Sequence, residues 1–191
     1  QYLAQVQSLV FGKGLKIHLD GARVANAAVA QNLPITAITQ HFDSVSICLS
    51  KGLCAPVGSI LLGDQRLIKK ARRWRKVLGG GMRQAGILAA AAQLALTEQV
   101  ERLAEDHDNA SYLASQLAVI DCFDVDMALV QTNMVFAKVV GELDINAIAE
   151  ELKQKGILIS AGNTLRLVTH ADISRTDIDG FIRELKVILQ R

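Results

Sequence analysis

An aspartate and a lysine each stand at the exit of an apolar run. Leu15-Lys16-Ile17-His18-Leu19 leads into Asp20-Gly21-Ala22-Arg23, and Val45-Ser46-Ile47-Cys48-Leu49 leads into Ser50-Lys51-Gly52, with Ser50 30 residues after Asp20. If the two runs are neighbouring strands of an α/β sheet, a carboxylate and an amine reach the same carboxyl edge, where ligand sites in such sheets gather. A lysine flanked by small residues suits Schiff-base chemistry, in which a neutral amine attacks a carbonyl carbon. A nearby cation would favour that neutral form. A buried aspartate beside it suits the ring nitrogen of pyridoxal phosphate, which needs an anionic partner to act as an electron sink.

The elements that must hold these residues are read from periodicity and punctuation. Residues 1–13 read as the end of a helix with a glycine exit at Gly12 and Gly14. A strand over 15–19, a helix from Ala22 to Gln31 ended by Pro34, and strands over 44–49 and 57–62 come next. The last two strands pair through the Lys51–Pro56 connection, and continuous apolar runs of this kind belong to sheets covered on both faces. Asp64 caps a basic helix to about Val77, and Gly79-Gly80-Gly81 breaks it. Ile87 to Leu96 is apolar nearly all round, which predicts burial. Leu103, His107, Ala110, Leu113 and Leu117 continue a helical stripe, with a bend expected near Thr97.

From Asp124 the pattern changes. A strand over 133–139, a helix from the cap Asp144 to Gly156, strands over 156–159 and 165–169, and a closing helix capped by Ser174 with Asp177 make a small α+β domain. The fold class is therefore α/β, with a larger domain over 1–121 and a smaller one over 122–191.

Composition narrows the function. Half of the 191 residues are hydrophobic and only 4% aromatic, so the core is built from Ala, Leu, Ile and Val. A net charge of +2 gives no strong drive toward nucleic acid. The six cations between Lys69 and Lys76, with Trp74 among them, read as a solvated or intersubunit helix face. No apolar run is long enough for a membrane span. Cys48, Cys54 and Cys122 lack metal spacing, as do the four histidines, and a reducing, cytoplasmic setting fits them. His18 shares a strand face with Asp20 and reads as a structural histidine. The first residues, Gln1-Tyr2-Leu3-Ala4, carry no initiator Met and no signal-peptide layout, which fits a piece of a longer chain.

The stretches HLDGARVANAAVA (18–30), DSVSICLSKGLCAPVGSILLGD (43–64), RRWRKVLGGGMRQAGILAAAA (72–92), EDHDNASYLA (105–114) and LRLVTHADISRTDID (165–179) resemble the low-specificity L-threonine aldolases. These are pyridoxal 5'-phosphate enzymes of the aspartate-aminotransferase type, fold type I. The resemblance implies that the chain is the carboxyl-terminal part of such an enzyme: the rest of the large cofactor-binding domain, then the small domain. The family's phosphate-cradling turn and ring-stacking side chain would lie upstream. It implies that Lys51 carries the cofactor and that Asp20 holds the pyridine nitrogen protonated. Arg23 would reach the cofactor's phenolic oxygen or the substrate carboxylate. Arg166, set by strand alternation on the face opposite Leu165 and Leu167, would bind the α-carboxylate of the amino-acid substrate. Lys76 and Arg83, flanking the triple glycine, would approach the site of a neighbouring subunit in a homotetramer and assist with the phosphate. The implied reaction cleaves β-hydroxy-α-amino acids to glycine and an aldehyde. β-Elimination or transamination would use the same residues, and a folded interaction domain without activity is the reading from a different class.

Overall fold

The computed structural model describes residues 1–190. They form two compact units, one over Gln1–Arg102 and one from Leu103 onward. In the first, α1 (Tyr2–Gly12) ends at Gly14, whose φ of +65° suits a residue without Cβ. The Gly14 N–H donates to the Phe11 carbonyl and the Leu15 N–H to the Val10 carbonyl, the paired bonds of a Schellman ending. The Ile17 N–H is taken by the Asp43 carboxylate at 2.9 Å. The donors of Leu15 and Ile17 are thus spent before any ladder starts, and β1 is only His18–Asp20, shorter than the expected strand over 15–19.

β1 lies parallel to β2 (Ser44–Cys48), and β3 (Ser59–Gly63) adds antiparallel to β2, giving the order β1-β2-β3. Between the parallel strands run α2 (Val24–Ala30) and a short α3 (Ile35–Thr39), which sequence periodicity does not reveal. Asn32 with φ +50° stops α2, and Pro34 opens α3 rather than merely closing its predecessor. α4 (Gln65–Val77) starts where predicted, with the Asp64 carboxylate accepting from the Leu67 N–H at 2.7 Å.

α5 (Gly86–Ala118) is one continuous helix, and the two units divide within it. Its first part corrects the expectation of all-round burial: Ile87 is 82% exposed and Leu94 54%. The residues that are covered, Leu88, Ala91, Ala92 and Ala95, fall at helical spacing on a single stripe, so the first unit covers one side only. The second part buries Ala110, Leu113, Ala114 and Leu117 in the core of the second unit. That packing is why the units divide at 102/103, upstream of the sequence-based boundary at 121/122.

The second unit is an antiparallel sheet of β4 (Phe123–Asp124), β5 (Met134–Val139) and β6 (Thr164–Val168), in that order, with α6 (Ile145–Gln154) and α7 (Arg175–Leu189). Val135, Ala137 and Leu165 are wholly buried with Leu152 and Leu185, while Phe136 and Arg166 face away from that core. The strand expected at 156–159 does not form. Gly156, at φ +79°, donates to the Lys153 carbonyl and Ile157 to the Leu152 carbonyl, a second Schellman ending that diverts the first strand donor to α6. Among the described residues no helix is long and apolar enough to cross a membrane.

At the start of α7 the Asp177 carboxylate accepts from the Ser174 N–H at 2.8 Å and from its hydroxyl at 2.5 Å, and the Asp177 N–H donates back to Ser174 Oγ. The Ser174 hydroxyl, followed by its backbone N–H, holds Asp177 below the usual carboxylate range. A carboxylate depressed in the folded state stabilises above its unfolded value and loses that contribution as pH falls through the folded one. Asp177→Asn is therefore expected to lower the urea midpoint at pH 7, with the gap to the parent narrowing below about pH 4. A gap independent of pH would contradict this origin of the capping energy.

Candidate active site

The parallel pairing of β1 and β2 sets the edge on which the site is built. Its register matches His18 with Ser44, Leu19 with Val45 and Asp20 with Ser46, so both strands run out toward the same side. The Gly21 N–H then donates to the Ser46 carbonyl at 2.8 Å. A Cβ on Gly21 would stand 2.8 Å from that same carbonyl oxygen and 3.2 Å from Val45 Cγ1, so only glycine lets the chain leave β1 this close to β2. Immediately beyond, Arg23 is the half-buried first cap of α2.

Asp20 departs from expectation in one respect: it is exposed rather than buried. It ends β1, the outer strand of the three, so neither strand nor helix closes over it within this sheet. Its carboxylate accepts from the Ala22 N–H at 3.3 Å. His18 does not support it; the imidazole Nδ1 is hydrogen-bonded to Ser44 Oγ at 2.8 Å.

Lys51 sits at the tip of the turn between β2 and β3. Its neck is closed by two backbone bonds, Leu49 N–H to the Gly58 carbonyl and Ala55 N–H to the Leu49 carbonyl, each 3.0 Å. The Cys54 N–H reaches back to the Lys51 carbonyl at 2.8 Å. Leu49, Leu53 and Ala55 are buried beneath the turn, while Ser50 and Lys51 are exposed. The arrangement presents an amine on a base anchored by apolar side chains. Cys54 adopts φ +61°, which is uncommon for a residue with a side chain and recurs at functional turns.

Cys48 lies just below, at the end of β2. Partial burial raises its thiol pKa, but hydrogen bonds from Ser50 and Ser59 and the charge of Lys51 outweigh that, and the thiol is held below its ordinary value. Cys48 is only half-buried and carries polar neighbours. Cys122, by contrast, is pushed up by burial.

The other expected site residues lie apart from this edge. Lys76 is in the last turn of α4 and Arg83 in the loop after it, both exposed. Gly79 takes φ +83°, and a Cβ on Gly81 would meet Lys76 Cδ at 2.5 Å, so the lysine stem lies over the triple glycine. Arg166 belongs to the second unit, paired with Phe136 across the sheet, exposed, its guanidinium 3.5 Å from Met134 Sδ. In that unit a groove of about 800 Å³ is bordered by Arg166, His170, Ile157, Asp172, Phe181 and Arg183. The structure therefore brings Asp20, Arg23 and Lys51 to one sheet edge. Sequence reasoning does not find Arg102, which reaches the Lys51 turn from 50 residues away and leaves no local signal.

A family model described as Beta-eliminating lyase matches residues 1–140. The low specificity L-threonine aldolase of Escherichia coli is 46% identical over 191 residues, covering 100% of this chain and 56% of that protein. Low-specificity L-threonine aldolase 1 of Arabidopsis thaliana is 41% identical over 182 residues, 93% of this chain and 51% of that protein. The solved structure of Leishmania major threonine aldolase superposes with a TM-score of 0.74 at 20% identity, over 98% of this chain and 56% of that one, a likeness of fold. The chain spans about half the length of the curated relatives it matches.

The opposite shifts at two of the cysteines make a direct test of the local electrostatics. Cys48 is expected to react with iodoacetamide faster than Cys122 at neutral pH, because the thiolate is the nucleophile and of these two Cys48 alone has its thiolate favoured. Timed alkylation followed by peptide mass spectrometry gives the order; faster loss of the Cys122 thiol would refute it.

Proposed function

Because the chain belongs to the beta-eliminating lyase family, we propose that the whole protein is a pyridoxal 5'-phosphate-dependent aldolase. It cleaves the Cα–Cβ bond of threonine and related β-hydroxy-α-amino acids to glycine and an aldehyde. The observation that carries this reading is the exposed amine of Lys51 on an anchored turn, at the same sheet edge as the Asp20 carboxylate. The residues present fit the cofactor. They supply an amine for an aldehyde, an anion for a ring nitrogen and a guanidinium, Arg23, at the adjoining helix start. Gly21, without room for a Cβ, keeps the strand exit narrow.

When bound, the cofactor supplies a ring that withdraws electrons from the substrate's Cα. Lys51 is its covalent anchor. Asp20 accepts the ring N–H and keeps the proton there, which sustains that electron withdrawal. Arg23 donates to the phenolic oxygen or to the substrate carboxylate. Arg166 grips the α-carboxylate with two parallel N–H donors, the geometry at which arginine excels, and so fixes the orientation of the bond that breaks. Lys76 and Arg83 neutralise the phosphate held in a neighbouring subunit. Exposed Val77, Leu78, Met82 and Ile87 around that loop support a homotetramer, a dimer of dimers. The assembly works in the cytoplasm, where three free thiols are at home.

The description of the matching family model favours β-elimination as the second reading. Products separate the two. Glycine and acetaldehyde from threonine support the aldolase; 2-oxobutyrate and ammonia support elimination.

Two substitutions in the complete protein test the assignments. Borohydride reduction in the presence of cofactor is expected to leave the pyridoxyl label on Lys51, and Lys51→Ala to lose both label and turnover. A label on another lysine, such as Lys76, would overturn the anchor. Arg166→Ala is expected to raise KM for threonine by roughly 10- to 100-fold, the value of a charged hydrogen-bond pair. Cofactor affinity should stay near the parent's. An unchanged KM in a steady-state assay would remove Arg166 from substrate binding.

A further inference from the structure

We propose that Arg102 is the positioning residue of the Lys51 turn: from α5 its guanidinium clamps the residue after Lys51 and fixes where the lysine amine stands. The inference rests on the reading of Lys51 as cofactor anchor. Arg102 Nη2 donates to the Gly52 carbonyl at 3.1 Å and lies 3.9 Å from Cys54 Sγ. Its Nε donates to Gln99 Oε1 at 3.0 Å, one helical turn back, which orients the guanidinium plane. The Gly52 carbonyl also accepts from the Cys54 thiol at 3.3 Å, so clamp and turn share one acceptor.

The turn needs such a clamp. Leu49 to Gly58 contains no ladder, and its tip is closed on itself by the bond from Cys54 N–H to the Lys51 carbonyl. Between that bond and the one from the Ala55 N–H to the Leu49 carbonyl, Cys54 stands in the left-handed region, a conformation disfavoured for a residue with Cβ and kept only where surroundings enforce it. Leu53, buried under the turn, holds it down by packing; Arg102 adds directional bonds to the backbone beside the lysine. Arginine is suited to this because its planar fork serves Gln99 and Gly52 in two directions at once, which the single ammonium of lysine does less well. An amine that must attack a carbonyl gains from being held within a fraction of an ångström of its productive place.

The test uses the full-length protein carrying Arg102→Met or Arg102→Lys. Amide hydrogen exchange without cofactor reads the Cys54 and Ala55 N–H groups that close the turn. The second readout is the rate of borohydride-trapped labelling of Lys51 by pyridoxal phosphate, and the third is kcat against KM for threonine. Arg102→Met is expected to speed exchange in peptides covering 49–55 while exchange elsewhere is unchanged. Labelling and kcat should fall roughly 10- to 100-fold with KM for threonine within about twofold, and Arg102→Lys should recover part of the loss. Turn amides and labelling at parental rates in a folded Arg102→Met protein would overturn the proposal. Should that variant unfold, Arg102→Lys decides in the same way, through faster or unchanged exchange at Cys54 and Ala55. A parent protein that takes no label on Lys51 sinks the cofactor reading instead, and turn exchange still judges Arg102.

Discussion

The hydrogen bond from the Gly21 N–H to the Ser46 carbonyl ties the exit of β1 to the middle of β2, and the candidate site hangs on that closeness. Parallel strands have no hairpin to set their register, so it must come from the ladder and from the residues just beyond its end. Here the ladder is only three residues long. The approach at Gly21 extends it by one bond and leaves no volume for a Cβ. From that point the geometry is constrained in sequence. Asp20 must end at the sheet edge, Arg23 must cap α2 three residues later, and β2 must run on to the turn that carries Lys51. At the amino end of the same strands Asp43 does a comparable job, accepting from the Ile17 N–H and pairing with Lys16, a surface pair of small energetic value.

The second unit is built on a different logic. Its antiparallel strands alternate strictly, with Val135, Ala137 and Leu165 in the core and Phe136 and Arg166 outside. Helix ends are specified by side chains: Asp144 accepts from the Asn146 and Ala147 N–H groups, and Ser174 with Asp177 forms a reciprocal box. The buried polar group of Asn133 and Thr169 ties the end of β6 to the start of β5, with the Asn133 amide donating to the Thr169 carbonyl at 2.8 Å and the Thr169 N–H to the Asn133 carbonyl. Arg166 is therefore displayed from a sheet rather than a loop, which suits the carboxylate-binding role proposed for it.

A third feature is the contrast between the apolar character of α5 and its exposure. Leu88, Ala91, Ala92 and Ala95 are covered, whereas Ile87 and Leu94 are not. Composition alone reads this stretch as core, because hydrophobicity reports the tendency to be buried and not which surface does the burying. The basic helix α4 shows the same limit from the other side. It is legible as helix and cap from Asp64 onward, but nothing in its run of cations says what they face.

The sequence by itself determined whatever is encoded locally or by strong periodicity. The caps at Asp64, Asp144 and Ser174, the alternation of β5 and β6, and the placing of Asp20 and Lys51 at strand exits all come from chemistry within a few residues. Only the tertiary structure decided where backbone donors are spent. Leu15 and Ile157 look like strand residues, yet their N–H groups close α1 and α6 through Schellman endings, because a helix terminus with unpaired carbonyls competes for them first. It also decided the partnership of His18 with Ser44. Arg102 lies furthest from what sequence can reveal: its bond to Gly52 joins residues 50 positions apart through the folding of α5 against a turn, and no spacing rule reaches that far.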